Sequence, residues 1–345
     1  MIRVLIAEDS PVMQDLLTHV LEADPAIMVA GIAANGREAI EMVKKLSPDI
    51  LTMDVNMPVI NGLEATRIIM RECPLPVIIV SSDYHPQDVE AAFKALQYGA
   101  VAVAEKPHSY GALQFEQCAA RLVRTVKLMS EIKVVRRTFL SGAAKSNIDL
   151  VPAVNLTKQK IQLIAIGAST GGPQALEKIL SSLPPDFTIP ILILQHITAG
   201  FTAGFTDWVR TLCSIPVSIA SHDSRILNGK CYIAPEGLHI EVTSDMTFQL
   251  HNKPPEHGSR PSVSVLFRSI SIALKSNVVA VLLSGMGKDG AVELGYIHAN
   301  GGITIAQDNE SSLIFGMPGE AVKLGSAQYI LSSKDIGTFL AKINV

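Results

Sequence analysis

The sequence is short of the features that mark secreted and nucleic-acid-binding proteins. It has four cysteines in 345 residues, and no two of them form a Cys-x-x-Cys pair. Sparse cysteines of this kind fit a reducing cytoplasm, where they serve as packing residues. The net charge of −3 provides no basic excess for binding nucleic acid, and no basic helix-turn-helix pattern is present. We therefore predict a cytoplasmic protein that does not bind nucleic acid.

Long apolar runs are also missing. Runs such as VVAVLL at 278–283 fall far short of the roughly 18 residues needed to cross a bilayer. The N-terminal segment MIRVLIAEDS has one cation and a short apolar run followed by acids, which is typical of a strand and not of a secretory signal. We expect no membrane insertion.

The sequence does have the length and hydrophobicity for two cores. Its 345 residues exceed one ordinary core, and 48% of them are hydrophobic against 18% charged. Apolar strands alternate with amphipathic helices in two series, which predicts an α/β protein with two doubly wound parallel-sheet domains. Between the series lies a stretch without sustained periodicity. The predicted boundaries are a first domain at 1–125, a linker at 126–158 and a second domain at 159–345.

The predicted strands differ between the two domains. The first domain has five apolar segments suited to one parallel sheet, at 2–7, 27–34, 49–54, 76–81 and 100–105. The second domain has a Rossmann-like series that begins with IQLIAIG and includes PILILQ and VVAVLLSG. Between these last two, the short segments PVSIA, KCYIAP, HIEV and MTFQLH predict an antiparallel excursion.

Five polar residues fall at strand ends of the first domain. Glu8 and Asp9 follow the first strand, Asp54 the third, and Ser81 and Lys106 end the fourth and fifth. Because the carboxyl ends of parallel strands meet at one edge, these side chains should share a pocket. Clustered carboxylates favour a hard divalent cation such as Mg²⁺, beside which a carboxylate can attack a phosphoryl donor. Any single acid could instead be a helix cap or a solvated loop residue, but the set favours a phosphoacceptor site.

Residues 1–125 resemble the response-regulator receiver family. The resemblance is carried by the motifs AEDS, MDVNMP with a following Asn-Gly, VSS and EKP. It implies that Asp54 accepts a phosphoryl group from a histidine kinase. It also implies that Ser81 and Lys106 contact the phosphoryl oxygens.

The same resemblance implies a Mg²⁺ site. Asp9, Asp54 and the backbone carbonyl of Asn56 would ligate the ion, and Glu8 would act through water. Glu8 departs from the family pattern, in which Asp is more common at this position. The longer side chain could change the affinity for the metal but not the role of the residue.

The second domain opens with IAIGASTGGPQALEKIL, which predicts a strand, a tight turn and a helix with Ser169 in the turn. A dinucleotide site is disfavoured because the second glycine of Gly-x-Gly-x-x-Gly would fall at Ser169, and no P-loop lysine is present. A nucleophile elbow is possible because 167–171 satisfy Gly-x-Ser-x-Gly. A serine that caps the following helix is equally possible. The segment alone leaves the last two interpretations open.

A histidine and an aspartate at other strand ends favour the nucleophile. His196 directly follows PILILQ, and Asp289 lies just past VVAVLLSG, so both should share the edge that holds Ser169. His222 precedes an aspartate in a loop, and His239 lies in an alternating strand as a half-buried structural residue. The chain order Ser…His…Asp differs from the Ser…Asp…His order of α/β-hydrolases, so the Gly-x-Ser-x-Gly match is convergent.

The chain as a whole resembles the chemotaxis protein-glutamate methylesterases, which also act as glutamine deamidases. The matching stretches are IAIGASTGGPQAL, ILILQHITAGFT, CYIAPEGLHI, RPSVSVLF, LLSGMGKDGA and TIAQDNESSLIFGMPGEA. The resemblance implies Ser169 as nucleophile and His196 as general base and then acid. Asp289 would fix the imidazole, and the backbone amide of Met286 would contribute to the oxyanion hole. No cofactor is implied in this domain.

The resemblance also implies a substrate and a control mechanism. The substrate would be a γ-glutamyl methyl ester, or a glutamine, on the cytoplasmic helices of chemoreceptors. The unphosphorylated receiver domain would restrain the hydrolase domain until Asp54 is phosphorylated. The competing hypothesis is a non-catalytic module in which the receiver domain regulates binding of a nucleotide or a partner.

Two departures from the methylesterase pattern concern the substrate groove. Ser264 stands where the family usually has Asp, and Ile-Thr-Ala at 197–199 replaces the usual Met-Pro-Pro. We expect neither departure to touch the triad. Both are predicted to line the groove that holds the receptor helix.

Overall fold

The computed structural model describes residues 1–81, 86–107, 111–132, 160–197 and 200–343. The chain divides into two compact units, Met1–Gly142 and Ala143–Val345. Within the described ranges, no helix combines the length and apolar character needed to cross a membrane. Most of the predicted linker at 126–158 lies outside the described residues, so the predicted domain boundaries stay a prediction.

The first unit contains a five-stranded sheet in the order β2-β1-β3-β4-β5, with every neighbouring pair parallel. Its strands are β1 Ile2–Ala7, β2 Ile27–Ala33, β3 Ile50–Met53, β4 Val77–Ser81 and β5 Ala102–Glu105. Its helices are α1 Pro11–Glu22, α2 Gly36–Leu46, α3 Gly62–Glu72, α4 Pro86–Tyr98 and α5 Gly111–Met129. The central strands β3 and β4 are buried throughout because helices cover both faces. The predicted five-stranded parallel sheet is confirmed.

Helix α3 begins directly against the end of β3. The Asn61 side chain caps it by accepting a hydrogen bond from the N–H of Glu64, a common use of Asn at this position. Gly62 approaches so closely that a Cβ there would collide with the carbonyl oxygen of Asp54. A glycine is therefore required at position 62 to place the start of α3 beside the predicted phosphoacceptor.

The second unit contains a seven-stranded sheet in the order β14-β13-β12-β6-β7-β9-β8, and every pairing in it is parallel. Its strands are β6 Leu163–Ala168, β7 Ile191–Gln195, β8 Val217–Ile219, β9 Cys231–Ile233, β12 Val278–Leu282, β13 Ile303–Gln307 and β14 Tyr329–Leu331. The helices are α6 Gly172–Leu180, α7 Thr202–Leu212, α8 Val263–Ala273, α9 Ala291–Ala299, α10 Met317–Lys323 and α11 Ser333–Lys342. The doubly wound prediction is confirmed for this unit as well.

The predicted antiparallel excursion is half right. The strands β10 His239–Val242 and β11 Phe248–His251 do form a separate antiparallel pair. The prediction is wrong for β8 and β9, which extend the main sheet in parallel beyond β7. The strand β9 is buried along its whole length, as expected for a strand covered on both faces. Its three residues are too few for a sequence pattern to reveal that environment.

The register of the central strands determines where the functional side chains lie. Ala168 at the end of β6 pairs with Gln195 at the end of β7, and Gly167 pairs with Leu282 of β12. The carboxyl ends of these strands therefore lie side by side at one edge of the sheet. Ligand sites of doubly wound sheets form at this edge.

Candidate active site

Ser169 lies between β6 and α6, with its backbone held by the neighbouring strand end. Its N–H donates to the carbonyl of Ser284 at 3.0 Å, and its own carbonyl accepts from the N–H of Gly172 at 2.8 Å. The residue that caps α6 is Gly171, with φ of +82°, so the interpretation of Ser169 as the helix cap is wrong. Within the described part of the chain the Ser169 hydroxyl has no hydrogen-bond partner. It is therefore free to turn toward a base or a substrate.

The loop after β12 passes in contact with Ser169. A Cβ at Gly285 would lie 2.7 Å from the Cβ of Ser169, so only glycine permits this approach. Met286 follows directly and is half-buried. Its backbone N–H has no hydrogen-bond partner among the described residues. A free N–H on the residue next to Gly285, in the loop that contacts Ser169, agrees with the predicted oxyanion role, which stays a prediction.

His196 and Asp289 are in direct contact. The imidazole Nε2 lies 2.9 Å from Asp289 Oδ2. The backbone N–H of His196 donates to the carbonyl of Ala168 at 2.8 Å, which places His196 beside the residue that precedes Ser169. The histidine is 16% exposed and the aspartate 3%. The structure thus brings the three predicted residues together at one sheet edge.

The buried carboxylate of Asp289 is surrounded by donors at the start of α8. It accepts the Ser262 hydroxyl at 2.7 Å and the N–H groups of Val263 and Ser264 at 2.8 Å each. Burial opposes ionisation, but the hydrogen bonds from His196, Ser262 and Ser264 and the charge of the imidazole outweigh it and lower the pKa of Asp289 to about 2. Asp289 is therefore ionised at neutral pH and can stabilise an imidazolium.

Gln195 connects Ser169 and His196 through their backbones. Its side-chain amide donates to the carbonyl of Ser169 at 2.8 Å and to that of His196 at 2.9 Å. Gln195 is 6% exposed. Gln195 was not among the predicted site residues, although a polar side chain that ends an apolar strand is the same signal that identified His196.

The prediction for Ser264 is wrong. The side chain is 0% exposed, so it cannot line a groove, and the backbone N–H of Ser264 donates directly to Asp289. Its position at the start of α8 explains this, because the first N–H groups of a helix point at a bound anion. For the other departure, Ile197 is half-buried and residues 198–199 lie outside the described residues.

Two other histidines considered in the sequence have separate roles. His222 is exposed, and its Nδ1 accepts from the N–H of Leu250 in β11. His239 is fully buried rather than half-buried, and its Nδ1 accepts from the N–H of Ser262 at 3.3 Å. His239 therefore supports a residue that binds Asp289, which the sequence pattern gave no means of seeing.

The first unit gathers a second set of charged groups at its own sheet edge. Lys106 Nζ lies 2.8 Å from Glu8 Oε2 and 3.0 Å from Asp54 Oδ2. Glu8, Asp9 and Asp54 each place one carboxylate oxygen within 4.8 Å of the others. Three carboxylates with hard oxygen donors at this spacing fit a Mg²⁺ ion. The predicted cluster therefore exists, and the identity of the ion stays a prediction.

Burial shifts the pKa values in this second cluster. Burial raises the pKa of Asp54 and of Glu8 above their usual values, although Lys106 opposes both shifts. Burial favours the neutral amine of Lys106, but the two carboxylates outweigh it and raise its pKa. Ser81 is buried at the end of β4, and its carbonyl accepts from the N–H of Lys106. The roles predicted for Ser81, Lys106 and the Asn56 carbonyl stay predictions.

These two sites define a class, namely a response regulator in which a receiver domain precedes a domain with the side chains of a serine hydrolase. The family model of the response regulator receiver domain matches residues 4–115, and that of the CheB methylesterase matches residues 164–340. The chain belongs to the CheB methylesterase family.

Individual relatives agree along the whole chain. The chain is 48% identical to protein-glutamate methylesterase/protein-glutamine glutaminase 1 of Syntrophus aciditrophicus, with 99% of this chain and 98% of that protein aligned. It is 44% identical to a second such protein of Methanospirillum hungatei, with 100% and 99% aligned. The crystal structure of the Thermotoga maritima CheB methylesterase catalytic domain is 32% identical, with a TM-score of 0.52, and covers 53% of this chain and 98% of that one. The resemblance inferred from the motifs is confirmed.

Proposed function

We propose that the chain removes methyl esters from glutamate side chains of chemoreceptors and deamidates receptor glutamines, in chemotactic adaptation. The observation that carries this proposal is the His196–Asp289 hydrogen bond beside Ser169. The relatives named protein-glutamate methylesterase/protein-glutamine glutaminase support the substrate class. Both reactions are acyl transfers from a γ-carbonyl of glutamate or glutamine, so one triad serves for both.

The hydrogen-bond pattern assigns a nitrogen to each role of His196. Because Nε2 is bound to Asp289, a neutral imidazole carries its proton there and leaves the lone pair of Nδ1 to accept the proton of Ser169. The Ser169 oxygen attacks the ester carbonyl, and the carbonyl oxygen becomes negatively charged. The backbone N–H of Met286 would stabilise this oxyanion.

The intermediate then collapses to an acyl-enzyme. The protonated His196 gives its proton to the methoxy oxygen of the ester, which leaves as methanol, or to the amide nitrogen of a glutamine, which leaves as ammonia. A water molecule, activated by His196, attacks the acyl carbonyl and releases a free glutamate. Asp289 remains ionised throughout and stabilises the imidazolium in both steps.

The receiver domain would decide when this reaction runs. Asp54 is proposed to accept a phosphoryl group from the histidine kinase of a chemosensory array, with Mg²⁺ held by Asp9, Asp54 and the Asn56 carbonyl and assisted by Glu8. The bound ion would neutralise the phosphoryl oxygens, and Ser81 and Lys106 would contact them. We propose that the protein works in the cytoplasm, where both partners present their signalling surfaces.

Covalent labelling tests the nucleophile. The full chain treated with a fluorophosphonate is expected to gain one adduct, because the reagent captures a serine activated by a neighbouring histidine. Mass spectrometry of the digested protein should map the adduct to the peptide that contains Ser169. The variant His196→Gln should label far more slowly, whereas His222→Gln should label like the parent chain.

The non-catalytic alternative predicts the opposite result of the labelling experiment. A receiver-regulated binding module would show no adduct at Ser169, and a nucleotide would raise its melting temperature. An adduct on another serine, or none at all in protein that is folded, would contradict the proposed nucleophile.

Phosphorylation is expected to raise the rate of ester hydrolysis. Incubation with a small acyl phosphate and Mg²⁺ should activate the parent chain but not Asp54→Asn, whose amide cannot accept a phosphoryl group. The basal rate of this variant should stay close to that of the parent. The measurement is methanol release from methylated receptor, with phosphorylation followed by intact mass.

A matched control and a fragment sharpen that experiment. Asp49 lies just before β3 and Asp54 just after it, so the two aspartates lie at opposite ends of the strand. The Asp49 carboxylate accepts a hydrogen bond from the N–H of Arg3. Asp49→Asn should therefore be activated like the parent. A fragment of residues 155–345 should exceed the basal rate of the full chain if the receiver domain restrains the enzyme. Equal rates would refute that restraint.

A further inference from the structure

A group of buried polar side chains lies behind Asp289, and the reaction itself does not use it. Ser264, in the first turn of α8, donates its N–H to Asp289 Oδ1 at 2.8 Å. Its hydroxyl oxygen accepts the N–H of Gly290 at 2.9 Å. Because Gly290 follows Asp289 directly, Ser264 binds the carboxylate with its backbone and the next peptide with its side chain.

Gly290 shows how closely these segments are packed. It has φ of +82°, and a Cβ at this position would collide with the side chain of Val263. The N–H of Val263 is another donor to Asp289, at 2.8 Å. The peptide after Asp289 is therefore held against the first turn of α8 by two contacts. One is the hydrogen bond from Gly290 to the Ser264 hydroxyl, and the other is the close packing of Gly290 against Val263.

The orientation of the Ser264 hydroxyl is set by Glu293. A serine hydroxyl has one proton, and here its oxygen already accepts from Gly290. Its proton is therefore directed to Glu293 Oε2, which lies 2.7 Å away. Glu293 lies in the first turn of α9 and is buried. Its other oxygen accepts from Arg268 Nη2 at 3.1 Å, so this buried carboxylate has a partner of opposite charge.

We infer that Ser264 and Glu293 are a positioning pair for the triad aspartate. The Glu293 carboxylate orients the Ser264 hydroxyl, and the hydroxyl fixes the peptide that carries Asp289 against the start of α8. The inference rests on the proposed function, in which Asp289 orients His196. It also gives a reason for the serine at 264, where the family usually has Asp. In this chain the buried carboxylate belongs to Glu293 on α9, and it accepts a hydrogen bond from the Ser264 hydroxyl.

Moving the carboxylate from position 293 to position 264 tests the pair. Ser264→Asp removes the hydroxyl proton and places a second carboxylate against Glu293, and two buried like charges at this distance repel. We expect kcat to fall about tenfold or more with little change in KM, because a small displacement of the catalytic groups has effects of this size. Glu293→Ala alone leaves the hydroxyl without its acceptor and should cause a smaller loss of kcat.

The double variant Ser264→Asp/Glu293→Ala decides whether the two residues act as a coupled pair. It restores a single carboxylate, which can accept from Gly290 and pair with Arg268 four residues along α8. We expect kcat to return to within about threefold of the parent, which is the behaviour of coupled neighbours and not of independent sites. A matched control is Ser271→Asp, a buried serine on the same helix that bonds to Asn300. It should lower the melting temperature without changing kcat of the folded protein.

A spectroscopic signal follows the triad directly. The proton of protonated His196 that is shared with Asp289 should give a far-downfield NMR resonance, and ¹⁵N labelling assigns it. The resonance should shift or broaden in Ser264→Asp, return in the double variant and stay unchanged in Ser271→Asp. These comparisons need no substrate.

The outcomes separate this inference from the proposed function. A change in KM alone for Ser264→Asp, or a folded double variant that recovers neither kcat nor the resonance, overturns the positioning pair. A parent chain with no hydrolase activity overturns the proposed function instead. In that case the resonance in the same variants still decides whether Ser264 and Glu293 position Asp289.

Discussion

Replacing Ser169 with alanine is expected to lower methanol release from methylated receptor by about 10⁴- to 10⁶-fold, as removal of a catalytic serine does in other hydrolases. Without the hydroxyl no acyl-enzyme can form, and the remaining rate comes from substrate binding and the oxyanion site alone. The fold should persist because the backbone of Ser169, and not its side chain, makes the hydrogen bonds to Ser284 and Gly172. Phosphorylation of Asp54, measured by intact mass, should proceed as in the parent.

The control for this prediction is Ser181→Ala. Ser181 follows the last turn of the same helix, α6, and is exposed, and its hydroxyl donates to the carbonyl of Glu177. Its loss should leave the rate unchanged. Retention of substantial activity in Ser169→Ala, with the control behaving as expected, would rule out Ser169 as the nucleophile.

Replacing Asp289 with asparagine should lower kcat by about 10⁴-fold, the size of effect known when a triad aspartate is replaced by its amide. The carboxylate accepts from His196 and from three donors at the start of α8. An asparagine offers one oxygen, so its NH₂ group must face a donor or the imidazole. If it faces His196, it selects the tautomer protonated on Nδ1, which cannot accept the serine proton. Steady-state hydrolysis by the folded variant measures the loss.

The same variant has a defined effect on acid stability. Hydrogen bonds and the imidazole hold the pKa of Asp289 at about 2 against a usual value of 3.8. A pKa that is lowered in the folded state stabilises the fold at pH values above the pKa of the unfolded chain. This stabilisation disappears as the pH falls through the pKa of the folded state. A difference of this size corresponds to about 2 kcal/mol. The free energy of unfolding of the parent should therefore lose about that amount between pH 4 and pH 2 through this residue.

Denaturant unfolding at several pH values checks this effect. The advantage of the parent over Asp289→Asn should narrow between pH 4 and pH 2. The exposed Asp245 provides the control, since Asp245→Asn should follow the parent at every pH. A constant difference between parent and Asp289→Asn over that range would mean that Asp289 is not ionised in the fold by these contacts.

The positions of the residues proposed to carry the chemistry could be predicted because they follow buried strands. Asp54, His196 and Asp289 each come after a run of apolar residues, and a parallel sheet brings such positions to one edge. The strands β1, β3, β6, β7 and β12 are long enough and apolar enough to be recognised from their sequence alone. Ser169 could be predicted as a nucleophile only together with His196 and Asp289, since its own segment was equally typical of a helix cap.

The residues that contact the proposed triad could not be predicted, since their contacts depend on packing between distant segments. Ser262 directly precedes α8, but its hydroxyl donates to Asp289 instead of capping that helix. Ser264 was assigned to a substrate groove because it departs from the family pattern. Its contact with Glu293 joins helices α8 and α9, and no sequence spacing reveals that contact. The parallel pairing of β8 and β9 was missed because each of these strands has only three residues.

The strand order of the seven-stranded sheet has a consequence for synthesis of the chain. Strand β6, which Ser169 directly follows, pairs on one side with β12, which is made more than a hundred residues later. While the ribosome is producing the segment between them, β6 has an open edge and Asp289 does not yet exist. Domains fold as units during synthesis, N-terminal first, so we expect the receiver domain to fold well before this one. The nascent protein would thus be able to receive its signal before it is able to act on it.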